Sequence, residues 1–441
     1  MDLASKRIQS AAQFTRGVSG HSCEVDDDWL GQRLAFWPQG VTGGRTIGLV
    51  SSRLGTAPES RGTWFALLRT ICAKVESDDV LVHVAGTTTD RFVQRSGELF
   101  NLPILRVHLP EPKATMDQWL QSLPSSNDEL DRAAEVYLSP LLEPSNTNSD
   151  IPLRDRAVIA VSDRVFALHV RSAGNLHELI TRRLEDPRFP IATVFVAIGS
   201  ELVDSKLADQ LLHKGAIGLH LFGHDKTAPE SSDEQPQIVA PQIPIPTADD
   251  WQYLTHCTRR RVGMWPDQTE TDYLDDLILS RPAADHSPLS ALTRIVERRK
   301  LIASNEAIRG GTPVVSFTEV PLAELPELRT FRPHRARWDF EPYGVCIRRD
   351  WLEAIHAGPV EYGDEERWDE LPEERRPFFQ LSSSTTRAGQ TIDWSAEREW
   401  RIVGDVDLSE LPSDAAFVFV KSQEDADQVA ARSPWPVAVM T

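Results

Sequence analysis

The chain has 441 residues, 66 acidic and 47 basic, for a net charge of −19. That length fits two or three domains with a sizeable core, and that charge argues against a long, sequence-independent contact with nucleic acid, which needs a basic face to displace counterions. Cys23, Cys72, Cys257 and Cys346 form no C-x-x-C pair, and His21, Cys23 and His83 lack a metal-ligand spacing. Free, mostly buried thiols, a reducing compartment and no metal are therefore expected. No apolar run approaches the ~20 residues that cross a bilayer. The segment MDLASKRIQSAAQF lacks the apolar stretch of a secretory signal. The expectation is a cytoplasmic protein with no membrane partner.

Residues 1–44 read as a partly ordered lead-in, with an acidic Glu24–Asp28 and an apolar Leu34–Pro38. A regular rhythm begins at Thr46. Thr46–Ser52 predicts a buried strand, Pro58–Val75 a helix, Asp79–Ala85 a strand, Thr87–Phe100 a helix and Leu102–Leu109 a strand. Helical stretches are expected near Met116–Leu123 and over Asp128–Leu142, then a loop at Glu143–Asp150. Arg156–Ser162 reads as a strand ending at Asp163, and Val165–Val170 as a further apolar run. Asn175–Glu185 predicts a helix, Thr193–Gly199 a strand, Lys206–Lys214 a helix and Ala216–Phe222 a last strand. Strands alternating with helices imply an α/β domain, a parallel sheet covered on both faces, over residues 45–223.

Residues 224–250 are crowded with Pro, Ser and acids, which suits an interdomain linker. Residues 251–441 mix short strands with fewer helices and predict a smaller α+β domain. Its expected strands are Pro313–Phe317, Gly344–Arg348, Glu399–Val403 and Ala416–Val420, and its helices Ser290–Lys300 and Arg349–His356.

In an open parallel sheet, ligands sit beyond the carboxyl ends of the strands, where helix amino termini favour phosphate. Three strand ends here carry small residues: Ser51, Ser52 and Gly55; Gly86 and Thr87; and Gly174 and Asn175. None makes a G-x-G-x-x-G fingerprint or a P-loop. Small residues also simply make tight turns, so each loop alone is ambiguous.

The stretch Ala157–Glu185, with Asp163, Gly174, Asn175 and Glu178, resembles the ligand loop of the LOG/DprA-like group of Rossmann-like domains. That group includes phosphoribohydrolases and the SLOG sensors of bacterial conflict systems. The resemblance covers roughly residues 45–222 and implies a nucleotide or nucleotide-derived ligand at these residues. The hydrolases of the group carry P-G-G-x-G-T-x-x-E, whereas this chain has Arg171-Ser172-Ala173-Gly174-Asn175-Leu176-His177-Glu178. One glycine in place of three is closer to a sensor that binds without cleaving.

In the second half, His256 and Thr258 sit two apart near a strand, so they share a face if the strand continues. Val315–Glu319 carries Ser316 and Thr318, His334–Tyr343 is rich in aromatics and charge, and Trp394–Arg401 holds Glu397 and Glu399. Together these resemble, broadly, the ADP-ribosyltransferase fold. The resemblance implies NAD as a cofactor, held by His256 and Thr258, with Ser316 and Thr318 lining the pocket. Glu399, or else Glu397, would be the catalytic carboxylate, stabilising charge as nicotinamide leaves. The competing reading makes these charges salt bridges along a strand. The functional expectation is a nucleotide-signal sensor coupled to an NAD-consuming or ADP-ribosylating effector in bacterial defence. The alternatives are a non-catalytic nucleotide-binding protein with an interaction module, or a phosphoribohydrolase. Self-association stays open.

Overall fold

The computed structural model describes residues 8–10, 29–36, 44–124, 134–142, 150–220, 239–306, 308–332, 337–385 and 391–440. The chain forms two compact units: Met1–Pro229 with Gln268–Ala284, and Glu230–Asp267 with Asp285–Thr441.

The first unit is built on a nine-stranded sheet: β1 (Ile8–Ser10), β2 (Leu34–Phe36), β3 (Thr46–Ser51), β4 (Val80–Val84), β5 (Ile104–His108), β6 (Ala134–Leu138), β7 (Arg164–His169), β8 (Val194–Ile198) and β9 (Ile217–His220), in the order β1-β2-β6-β5-β4-β3-β7-β8-β9. Strands β3 to β9 pair in parallel, while β1 and β2 add an antiparallel edge from the lead-in. The helices are α1 (Gly62–Cys72), α2 (Asp90–Phe100), α3 (Met116–Ser122), α4 (Leu153–Val161), α5 (Asn175–Glu185), α6 (Ser205–His213) and α7 (Glu270–Leu279). The chain steps outward from β3 to β6 on one side, then resumes at β7 on the other. This is a doubly wound, Rossmann-like α/β fold with its switch point between β3 and β7.

Local chemistry accounts for these elements. Residues Thr46–Val50 of β3 are buried throughout, as a central parallel strand with both faces covered requires. α1 buries Trp64, Phe65, Leu67, Leu68 and Ile71 at helical spacing. α3 opens with a capping box between Thr115 and Gln118. Gly48 lets α4 lie close to the sheet, because a Cβ there would come within 2.4 Å of Ser162 Oγ.

Four expectations need correction. Arg156–Ser162 is the body of helix α4, not a strand; Ala157–Val161 are all buried, so no polar face reveals the helical period. The described part of Asp128–Leu142 is the strand β6, whose pairing with β5 and β2 overrides local helical propensity. Val239–Asp250 is not free linker: Ala240 N–H donates to Ala430 O, and Ile243 N–H to Val437 O, within the second unit. Residues 268–284, expected in the second domain, belong to the first, where Tyr273, Leu274, Leu277 and Ile278 of α7 join its core. The readings of Cys23, Glu24–Asp28, Trp37–Pro38, residues 128–133 and 143–149, Leu221–Phe222, the first part of the linker and residues 334–336 lie outside the described residues.

The second unit carries a seven-stranded sheet: β10 (Tyr253–Cys257), β11 (Val314–Thr318), β12 (Gly344–Arg348), β13 (Gly358–Pro359), β14 (Glu399–Val403), β15 (Ala416–Val420) and β16 (Val437–Val439), ordered β13-β14-β11-β10-β12-β15-β16. All neighbours are antiparallel except β15 and β16. Helices α8 (Pro288–Arg298) and α9 (Gln423–Ala430) contribute Leu292, Val296 and Val429 to a core with Leu254, Val315, Phe317 and Ile402. A second core holds Cys346, Phe417 and Phe419 with Leu322 and Leu325. This unit is α+β. Among the described residues, no helix is long and apolar enough to cross a membrane.

Candidate functional site

Because β4, β3 and β7 are adjacent and parallel, the turns after Val84, Ser51 and His169 lie on one edge of the sheet. That edge brings together Ser51, Ser52, Gly55, Gly86, Thr87, Gly174 and Asn175. Ser52 stitches two of the turns: its N–H donates to His169 O at 2.7 Å, and its Oγ accepts the Arg171 N–H at 3.1 Å. Ser51 Oγ donates to Ser52 O and accepts from Trp64 Nε1. Gly55 has a φ of +91°, with open space where a Cβ would stand. α5 starts at Asn175 with Gly174 as its N-cap and no capping side chain, so that turn lacks a side chain of its own over the first helical amides.

Gly86 is engaged differently. Its N–H donates to Asp90 Oδ2 at 2.7 Å, while Asp90 Oδ1 meets His83 Nε2. Burial opposes ionisation of Asp90, but the bonds from His83 and Gly86 hold its carboxyl below the ordinary range. Thr87 Oγ1 donates to Val84 O. This turn therefore already carries an anion of its own.

Asp163 is not at this edge. Its carboxylate accepts the Thr46 N–H at 2.8 Å, at the start of β3, five residues before Ser51. At about 3.3 Å per residue that is some 16 Å away. Glu178 is exposed in the first turn of α5 and lines an open depression of about 600 Å³ with Ala173, Thr181, Arg182 and Asp186. One helix supplies most of that lining and three carboxylates stand in it, Glu178, Glu185 and Asp186. An anion is poorly served there, and the switch-point edge is the better site.

Sequence reasoning missed the arginines. Arg171 donates from its guanidinium to Arg53 O at 2.7 Å and toward His169 Nε2 at 3.4 Å. Arg61, at the N-cap of α1, donates to Leu54 O. Arg154, in the first turn of α4, lies 3.6 Å from where a Cβ on Gly86 would stand. Among the described residues, no ion pair is formed by Arg53, Arg61 or Arg171, and Arg154 reaches Asp155 only at 3.8 Å. Burial raises the Asp155 carboxyl above its ordinary range, against the pull of Arg154 and Arg53. Burial lowers His169 below the ordinary imidazole range; its bond to Leu202 O pulls the other way, and the fields of Arg171 and Arg61 add to the lowering. The signal was present for Arg53 and Arg171, each two residues past a strand end; for Arg154 the misread helix α4 concealed it.

In the second unit, register decides which side chains meet. Thr255, Thr318 and Glu399 pair in one row across β10, β11 and β14, and Ser316 pairs with Arg401. Paired residues of an antiparallel sheet share a face, and neighbours along a strand alternate. Glu399, Ser316 and Thr318 thus share one face. His256 projects from the other, where its ring meets Phe317 edge-on at 5.8 Å. Its Nδ1–H donates to Ser316 O at 2.9 Å, and burial pushes its pKa down to about 4. Thr258 is buried and donates to Pro288 O at 2.8 Å. Glu399 takes a bidentate bond from Arg401, at 2.9 and 2.8 Å, and Arg401 also donates to Pro377 O and Phe379 O. Glu397 contributes its backbone carbonyl to Thr318 Oγ1 at 2.6 Å. The fold does not bring His256 and Thr258 to Glu399. In the aromatic segment, Arg329 lies over the Trp338 ring and pairs with Glu341.

Among the described residues, no group of three or more His, Cys, Asp or Glu is placed to hold a metal, and Cys72, Cys257 and Cys346 are free thiols. No protein-family model and no curated protein matches the chain. A solved structure of DNA processing protein A (DprA) from Streptococcus pneumoniae aligns over 42% of this chain and 62% of its own length, at 16% identity and a TM-score of 0.28. A likeness that loose assigns neither family nor activity. The class is set by the fold itself: a Rossmann-like α/β unit joined to a smaller α+β unit.

Proposed function

We propose that this protein binds a phosphorylated, nucleotide-derived small molecule at the β3/β7 edge of its first unit, and that the second unit responds as an interaction module. One observation carries the reading. Arg53, Arg61, Arg154 and Arg171 line a topological switch point, and among the described residues none of them is hydrogen-bonded to a carboxylate, in a chain of net charge −19. Guanidinium groups pair with phosphate in a bidentate manner, and a switch point is where an open α/β sheet leaves a crevice.

The NAD-consuming reading of the second unit has less support, because its required partners stand on opposite sheet faces and are bonded internally. A role in bacterial defence rests on the family resemblance alone.

The test is thermal melting of the full chain with AMP, ADP-ribose, NAD and cyclic dinucleotides, alongside nicotinamide release. At a hundred times its dissociation constant a true ligand stabilises by about 2.7 kcal/mol. A melting shift with at least one of them, abolished in Arg53→Ala/Arg171→Ala, supports the reading. A flat response to the whole panel defeats it. Nicotinamide release that disappears in Glu399→Gln would restore the enzymatic alternative.

A further inference from the structure

We infer that the edge takes a ligand bearing two phosphoryl groups, such as a nucleoside diphosphate, rather than a monophosphate; this rests on the binding reading above. The cations are spread along the edge, with Arg171 on one side of the Ser51–Gly55 turn, Arg154 on the other and Arg53 within it. On the β7 side stands Arg171, with Arg61, bonded to Leu54 O, near enough to act on His169; Arg53 lies in the turn between, its carbonyl bonded to Arg171 and its charge felt at Asp155. On the β4 side, Arg154 stands against Gly86 at the amino end of α4. Strands β4 and β7 flank β3, so Arg154 and Arg171 are anchored about two strand spacings apart, near 10 Å before side chains reach inward.

The two sides are not equivalent. On the β7 side, the uncapped start of α5 follows Arg171 closely in the chain. On the β4 side the Gly86 amide is already taken by Asp90, leaving side-chain charge as the means of recognition. There the Arg154 side chain is 42% exposed, its Nε has no hydrogen-bond partner, and the Asp155 carboxylate stands 3.8 Å from it. A partly exposed guanidinium that is hydrogen-bonded to no carboxylate keeps its outer N–H groups open to a phosphate oxygen. A single phosphoryl group on the β7 side leaves that guanidinium unpaired; a second one pairs it.

Isothermal titration of the full chain with adenosine, AMP and ADP tests this. ADP is expected to bind about tenfold or more tighter than AMP, as one added charge-assisted contact implies. Arg154→Ala should reduce ADP to the affinity of AMP and leave AMP unchanged, and Arg154→Lys should recover part of the difference. Arg171→Ala should weaken both. Arg432→Ala, which removes an equal charge from the second unit, should alter neither. Equal affinities for AMP and ADP in the unaltered chain overturn this inference and leave the binding reading standing. So does an ADP advantage that survives in Arg154→Ala, or that Arg432→Ala removes equally. Failure of every nucleotide to bind overturns both.

Discussion

The β3/β7 edge of the first unit and the Glu399 region of the second are both rich in charge, yet they use it in opposite ways. At the edge, Arg61 and Arg171 reach backbone carbonyls, and Arg154 has a carboxylate, Asp155, only at 3.8 Å. Around Glu399 the charges are matched: Arg401 satisfies the carboxylate and two carbonyls at once, with only 2% of its side chain exposed. An unmatched cationic edge is poised for an outside anion. A matched buried pair holds strands and the segment around Phe379 together. Charge density in a sequence does not tell these apart, but the partner of each charge does.

The contrast is broken most severely at Arg401. Arg401→Leu leaves the half-buried Glu399 without its cation and two carbonyls without their donor, so the second unit should lose about 3–5 kcal/mol. Urea denaturation of the full chain, with hydrogen exchange followed at β14, measures it. Ligand binding by the first unit should be unaffected. Next comes Gly48→Ala, which forces a methyl into Ser162 and should cost about 1–3 kcal/mol in the first unit alone.

A pH series sharpens the comparison. His256 has its pKa lowered from 6.5 to about 4, so the unfolded chain binds a proton there before the native chain does. Its contribution is intact above pH 6.5 and is lost as the pH falls toward 4. Melting temperature against pH should decline through that window, and His256→Phe should flatten the decline. The smallest effect on stability is expected at the edge. Arg171→Ala should stay within about 0.5 kcal/mol of the unaltered chain while reducing ligand-induced stabilisation. A large loss of stability there would mean that the arginine serves the fold rather than a ligand.

Much of the architecture was legible in the residues. The helix at Asn175–Glu185 and the strands Gly344–Arg348, Glu399–Val403 and Ala416–Val420 have the boundaries that apolar runs and their polar ends indicate. The alternation from Thr46 onward was enough to imply a parallel α/β sheet with strand-end turns at Ser51, Gly86 and Gly174. These features are local: a few residues of periodicity, a cap, a turn.

What the chain alone did not decide depends on neighbours distant in sequence. Ala157–Val161 is apolar on every side, so only its packing on the sheet distinguishes helix from strand. Asp163 follows an apolar run like any strand-end residue, but the turn of chain direction through α4 puts it at the opposite edge from Ser51. His256 and Glu399 each stand near a strand terminus, yet pairing register sends them to opposite faces. The arginines share one edge only because the winding puts β4 and β7 on either side of β3. Periodicity acts over a turn or two of backbone, whereas register and strand order are set by which distant segments bury one another. The candidate site is a product of the second.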